Sequence, residues 1–128
     1  MRRLILLMVC ALIVPASSAR AWTWPAEGKV IRPFAFDAAH PYAGGQHRGV
    51  DIGGAEGGSV RAPVDAVVTF AGVVPGGGKT VSLETAIGYV VTLQQLGSIR
   101  VARGDAVTEG VTELGTVGGG GTVRASCT

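Results

Sequence analysis

Short apolar runs, each cut off by glycine within about ten residues, are what most restricts the folds open to this chain. "KVIRPF" (29–34), "DAVVTFAGVV" (65–74), "KTVSLE" (79–84), "GYVVTLQQL" (88–96), "IRVARGDAV" (99–107) and "LGTVGG" (114–119) are rich in Val, Thr and Ile. They carry turn signals every eight to twelve residues or so, and none sustains a helical period. The chain has 21 glycines in 128 residues, far above the usual share of about 7%. Most fall at the junctions between runs, where tight turns and bulges need positive φ. This pattern predicts an all-β protein: a small glycine-rich barrel or sandwich.

The runs differ in how they alternate. In 65–74, Val67, Thr69 and Ala71 share one face and Val68, Phe70 and Gly72 the other. Both faces carry apolar groups, which predicts a central strand. In 88–96, Tyr89, Val91, Leu93 and Gln95 share a face, and polarity rises toward the C-terminal end. That end is expected at a rim, where strands open into a cleft.

Residues 1–21 read as a secretory signal: Arg2 and Arg3, an apolar run from Leu4 to Val14, then Ala19-Arg20-Ala21 as a small-x-small cleavage site. The run is shorter than the roughly 20 helical residues needed to span a bilayer. Cys10 lies inside it behind Val9, which argues against a lipid-anchored form. The mature domain is therefore expected over 22–128, in a secreted, extracytoplasmic or cell-envelope location.

Of the eleven Lys and Arg, three (Arg2, Arg3, Arg20) belong to this leader, leaving eight against nine Asp and Glu. The apparent basicity is a targeting feature, and nucleic-acid binding is excluded on charge. Cys127 is then the only thiol, so no internal disulfide can staple the domain. A chain this small must rely on its core and hydrogen bonds, or on a metal.

"AGVVPGGGKT" resembles a phosphate loop but misses it. The motif needs glycine at position 73, which is Val73, and a strand rather than a helix follows the lysine. Pro75 to Gly78 reads as a glycine loop between strands.

"HRGVDIGG" (47–54) carries the chemistry. In a straight strand His47 and Asp51 would lie about 13 Å apart on one side, at roughly 3.3 Å per residue. Zinc holds N and O donors at about 2.0–2.2 Å, so the two can share an ion only if the chain kinks between them, and Gly49 supplies the freedom. The plainer alternative is a surface histidine beside an aspartate that caps a turn.

The surrounding words carry a resemblance. "HRGVDIGGAEGGSVRAPVDAVVTFAG", with its His-x-Gly-x-Asp, Ala-Pro and Val-Thr-Phe-Ala-Gly elements, is similar to the LytM/lysostaphin-type zinc metalloendopeptidases, which cleave peptide cross-bridges of cell-wall peptidoglycan. The likeness continues through "GYVVTLQQLGSIRVARGDAVTEG" and "LGTVG", so that it spans about Trp24 to Gly118. It implies the LytM-like (duplicated hybrid motif) fold, a zinc ion held by His47 and Asp51, and a zinc-bound water as nucleophile.

The rest of that family's machinery is missing. Its third zinc ligand comes from a His-x-His pair near the end of the domain, whereas this chain has only His40 and His47. "GTVRASCT" departs from the pattern there, so the domain is expected to be degenerate or C-terminally truncated, to lack its final strands, and to keep an unpaired sheet edge. Gln95, in "TLQQLGSI", stands at the position of a family catalytic histidine. Its amide can hydrogen-bond a carbonyl but cannot exchange protons near neutral pH. Acid–base help is worth about 10² to 10⁴ in rate, and a catalytic zinc normally has three protein ligands, so activity is doubtful and zinc weak or absent.

Other residues are candidates to stand in for the missing ligand. His40, in a loop before Pro41, is a candidate third ligand or a plain loop histidine. Cys127 is a candidate soft ligand or a free thiol in a frayed tail. Asp65 reads as structural, Arg48 as a rim arginine, and Gly104-Asp105 as a turn. A biotinyl- or lipoyl-type carrier shares "VARGDAV", but the glycine-rich setting of Lys79 does not match an attachment site. Two functions remain: a peptidoglycan metalloendopeptidase-family domain whose inherited reaction is zinc-dependent hydrolysis of peptide cross-links, or a non-catalytic wall-binding or regulatory domain.

Overall fold

In the computed structural model, which describes residues 22–128, the chain is built from nine strands and no helix among the described residues. The leader expected over 1–21 lies outside them. The strands are β1 (Val30–Arg32), β2 (Val50–Gly53), β3 (Ser59–Arg61), β4 (Ala66–Val74), β5 (Gly78–Glu84), β6 (Val90–Ile99), β7 (Ala106–Val107), β8 (Glu113–Val117) and β9 (Thr122–Cys127). All pair antiparallel in one sheet of order β1-β2-β9-β6-β5-β4-β7, with β3 and β8 branching from β6. The expected all-β architecture is what the chain adopts.

β6 makes the branch. One edge of it pairs with β5 along its length. The other edge is shared: Val91 to Gln94 pair with β9, and Leu96 to Ile99 pair with β8. Gln95 falls between the two partners with φ at 65°, the only non-glycine positive φ among the described residues. Left-handed backbone costs an ordinary residue roughly 1–2 kcal/mol. Here it resets the phase of the strand, so that Val91 and Leu93 before it and Leu96 after it all reach the core. The sequence alternation placed a rim at this point, but the strand runs on to Ile99 because the irregularity redirects it without ending it.

The core is aliphatic. Ile52, Val60, Val81, Leu83, Leu93, Leu114 and Val123 have no exposed surface, and they come from six different strands. Burying such side chains is worth about 1.5–3 kcal/mol each, which suits a domain without an internal disulfide.

Two expectations are corrected. β4 is not central with two buried faces: β7 covers it only at Ala66 and Val67, and a register shift between Val68 and Phe70 turns Val67, Phe70 and Val73 outward. Of its residues only Val68 is fully buried. Second, the C-terminal stretch is a paired strand and not a frayed tail. β9 is inserted between β2 and β6, with Val50 to Gly53 paired on one side and Val91 to Gln94 on the other. Cys127 belongs to this strand, opposite Val91, as an exposed free thiol.

Candidate functional site

The register brings three side chains into one row. Asp51 of β2 lies opposite Arg124 of β9, and Arg124 lies opposite Gln94 of β6. Directly opposed residues point to the same side of a sheet. Their neighbours Ile52 and Val123, also opposed, face the other way into the core. Hydrophobic alternation therefore fixes the polar row: with Ile52 and Val123 inside, Asp51 and Arg124 must share the other face.

His47 closes over that face from the chain ahead of β2. It makes an isolated bridge with Ala35, and the backbone then bends at Arg48 and Gly49 before β2 begins. The kink expected between His47 and Asp51 is present, but Gly49 is needed for a different reason than backbone freedom. A Cβ there would sit 2.8 Å from the carbonyl oxygen of Ala125, so glycine lets β9 approach.

The imidazole and the carboxylate converge. His47 Nδ1 donates to the carbonyl oxygen of Pro33 at 3.1 Å, which turns Nε2 toward Asp51 Oδ1 at 3.3 Å. That contact is close, yet it is not aligned as a hydrogen bond, and Nε2 is left buried without a partner. His47 and Asp51 are only 6% and 7% exposed. The same Oδ1 accepts a 3.0 Å hydrogen bond from Arg124 Nε, and the Arg124 side chain is about one-third exposed, at 35%. A charge-assisted bond of this kind is roughly twice as strong as a neutral one.

A backbone-anchored imidazole whose second nitrogen is free is the usual arrangement around a metal-ligating histidine. His47 and Asp51 thus suit two positions of a divalent-metal site. Arg124, which meets the same carboxylate, does not. A guanidinium has donors only and keeps its charge at all ordinary pH, so it can neither coordinate a cation nor make way by losing a proton. Among the described residues, no group of three or more His, Cys, Asp and Glu side chains is placed to hold a metal ion. The donor set does not fit a catalytic zinc.

The other candidates lie apart. His40 is an exposed loop residue, its Nδ1 2.8 Å from Asp37 Oδ2. That contact, reinforced by the Ala39 N–H, holds the Asp37 carboxyl below the usual carboxylate range. Gln95 sits at the branch point of β6 with its N–H bonded to Gly77 O. Asp65 accepts from the Glu109 N–H at 2.7 Å and is structural, as read from sequence. Arg48 stacks over Phe36 at 4.4 Å.

Sequence reasoning missed Arg124 and Gln94. A lone arginine between Val123 and Ala125 is a signal that this strand has a polar face, but its partner is 73 residues away and only the fold identifies it. Gln94 packs on the β4–β5 turn: a Cβ on Gly77 would come within 2.6 Å of its Nε2.

Known proteins share this fold and part of this sequence. The Outer membrane antigenic lipoprotein B of Histophilus somni is 40% identical over 58 residues, 45% of this chain and 15% of that protein. A zinc-containing peptidase from Vibrio cholerae superposes with a TM-score of 0.69 at 19% identity, covering 84% of this chain and 36% of that one. Lysostaphin does so with a TM-score of 0.69 at 24% identity, covering 85% and 46%. The chain spans less than half the length of each, and at these identities the two structures show a shared fold. The profile of Peptidase family M23 matches residues 45–126, well over half of the chain. With its fold and its His-x-Gly-x-Asp strand, this chain belongs to peptidase family M23, as a LytM/lysostaphin-type member.

Proposed function

We propose that this chain is an extracytoplasmic M23 domain that engages cell-wall peptides without cleaving them. The observation that carries this reading is the 3.0 Å bond from Arg124 to the same Asp51 oxygen that faces His47. Hydrolysis by a zinc site needs three protein ligands and an open position for water, and this site offers two ligands, His47 and Asp51, and a fixed cation, Arg124. His47 and Asp51 are read as what remains of the metal site, and Gln95 as a replacement for a working histidine. Family membership supports a peptidoglycan substrate class. The signal-like residues 1–21 and the lipoprotein relative support export.

Incubation with purified peptidoglycan and zinc tests the proposal. The expected outcome is co-sedimentation with the wall and no new amino termini. Release of amino termini that disappears in Asp51→Ala would overturn it in favour of the hydrolytic reading.

A further inference from the structure

We propose that Arg124 is a resident cation that occupies the place of a metal ion, and that the single exchange Arg124→His converts the site into a three-ligand metal centre. The inference rests on the non-hydrolytic reading of the site and says what makes it so.

The argument is one of charge and reach. Asp51 is a buried carboxylate, and a buried anion must have a cation or a dense set of donors. Arg124 Nε meets this need at 3.0 Å. His47 Nε2 faces the same oxygen from 3.3 Å and has no hydrogen-bond partner, an unusual state for a buried ring nitrogen. A nitrogen in that condition is either a cost to the fold or a ligand awaiting an electrophile. The arginine supplies charge to the aspartate while leaving the imidazole unserved, because its Nε–H is committed to Oδ1. A divalent ion would serve both at once.

The register then makes the exchange specific. Arg124 is opposite Asp51, so whatever stands there projects to the same side. In histidine, Nε2 is the same number of bonds from Cα as Nε is in arginine, so an imidazole at this position carries a lone pair close to where the guanidinium now carries a proton. Two imidazoles and one carboxylate form a donor set suited to zinc-type ions. The neighbours that set the row, Ile52 and Val123, are untouched by the change.

Zinc titration of the full chain by calorimetry, with cobalt(II) absorption as a second readout, tests this. The wild type is expected to retain no stoichiometric zinc, and its melting temperature should not move with a chelator. Arg124→His is expected to bind one equivalent, at least about 100-fold more tightly than Arg124→Ala, to give the visible bands of tetrahedral cobalt, and to lose the metal when His47→Ala is added. Equal zinc binding by wild type and Arg124→His would overturn the proposal. If Arg124→His fails to fold, Arg124→Ala decides: with the cation gone it should bind zinc measurably better than wild type, and no gain overturns the idea. The two readings fail separately. Wall cleavage by a wild type that holds no zinc removes the non-hydrolytic function alone, whereas stoichiometric zinc in a wild type that does not cleave removes this inference alone.

Discussion

The molecule contains two histidine–aspartate pairs, and they behave in opposite ways. His40 and Asp37 meet at 2.8 Å in an exposed loop, with side chains 75% and 59% exposed. His47 and Asp51 meet at 3.3 Å with side chains 6% and 11% exposed. The shorter contact is the weaker determinant of the fold, because water screens it and can replace either partner. The longer contact is largely shielded from water, and its carboxylate oxygen is shared with Arg124. Proximity of two residue types therefore says little about their role until burial and the third neighbour are known.

The largest effect should come from removing the shared carboxylate. Asp51→Ala strands Arg124 and His47 beside β9. Breaking a buried pair costs about 3–5 kcal/mol, and since Arg124 is partly in solvent we expect about 2–3 kcal/mol, read as a lower urea midpoint. A loss below about 0.5 kcal/mol would place the buried pair on the same footing as the exposed one.

Gly49→Ala approaches the buried pair from the backbone. Its Cβ would press on the Ala125 carbonyl at 2.8 Å, prising β2 from β9. Overpacking of this kind costs roughly 1–3 kcal/mol, and hydrogen exchange of the β2 and β9 amides should rise with it. Unchanged protection in β9 would mean that the strand yields without loss. Gln95→Gly separates charge from backbone strain. It relieves the positive φ beside the site without touching any charge, and should change stability by about 1 kcal/mol or less, in the stabilising direction. A destabilisation as large as that of Asp51→Ala would show that the side chain of Gln95 is needed.

The smallest effect belongs to the exposed pair. Asp37 titrates below its ordinary value because of the His40 contact first and the Ala39 N–H second. A carboxyl with a depressed folded-state pKa adds stability above its unfolded pKa and loses it as pH falls through the folded value. Any contribution of Asp37 is therefore present at neutral pH and disappears in the acid range below the ordinary carboxylate pKa. We expect Asp37→Asn and wild type to unfold together at pH 7, while the NMR titration of Asp37 moves up toward the ordinary value in His40→Ala. An Asp37 titration indifferent to His40 would remove the pairing.

The contrast also marks what could be read in advance. The β4–β5–β6 meander was legible as strands because Val/Thr/Ile runs and glycine turns are local signals, whereas the faces of β4 were not, because the register shift between Val68 and Phe70 leaves no mark in the alternation. β9 was not, since "TVRASC" follows a glycine run, is short, and contains a charge whose partner belongs to β2. His47 and Asp51 were found from spacing and from the words around them, but their meaning depended on a residue contributed from the other end of the sequence. The positive φ of Gln95 has no composition signal, because glycine would have been the ordinary choice.

The shared edge of β6 has a consequence for the order of events during biogenesis. β2 and the first half of β6 have no bond to each other; β9 is the only strand that joins them among the described residues. Until residues 122–127 are available, the two sides of the sheet remain separate and the β2–β6 gap offers bare backbone on both flanks. Contacts spanning 73 residues close late, because the loop entropy is spent before they reward it. Under the export proposed above, passage through a membrane in an extended form would use this property: a chain whose sheet cannot be completed before its tail has arrived stays threadable for as long as the tail is withheld.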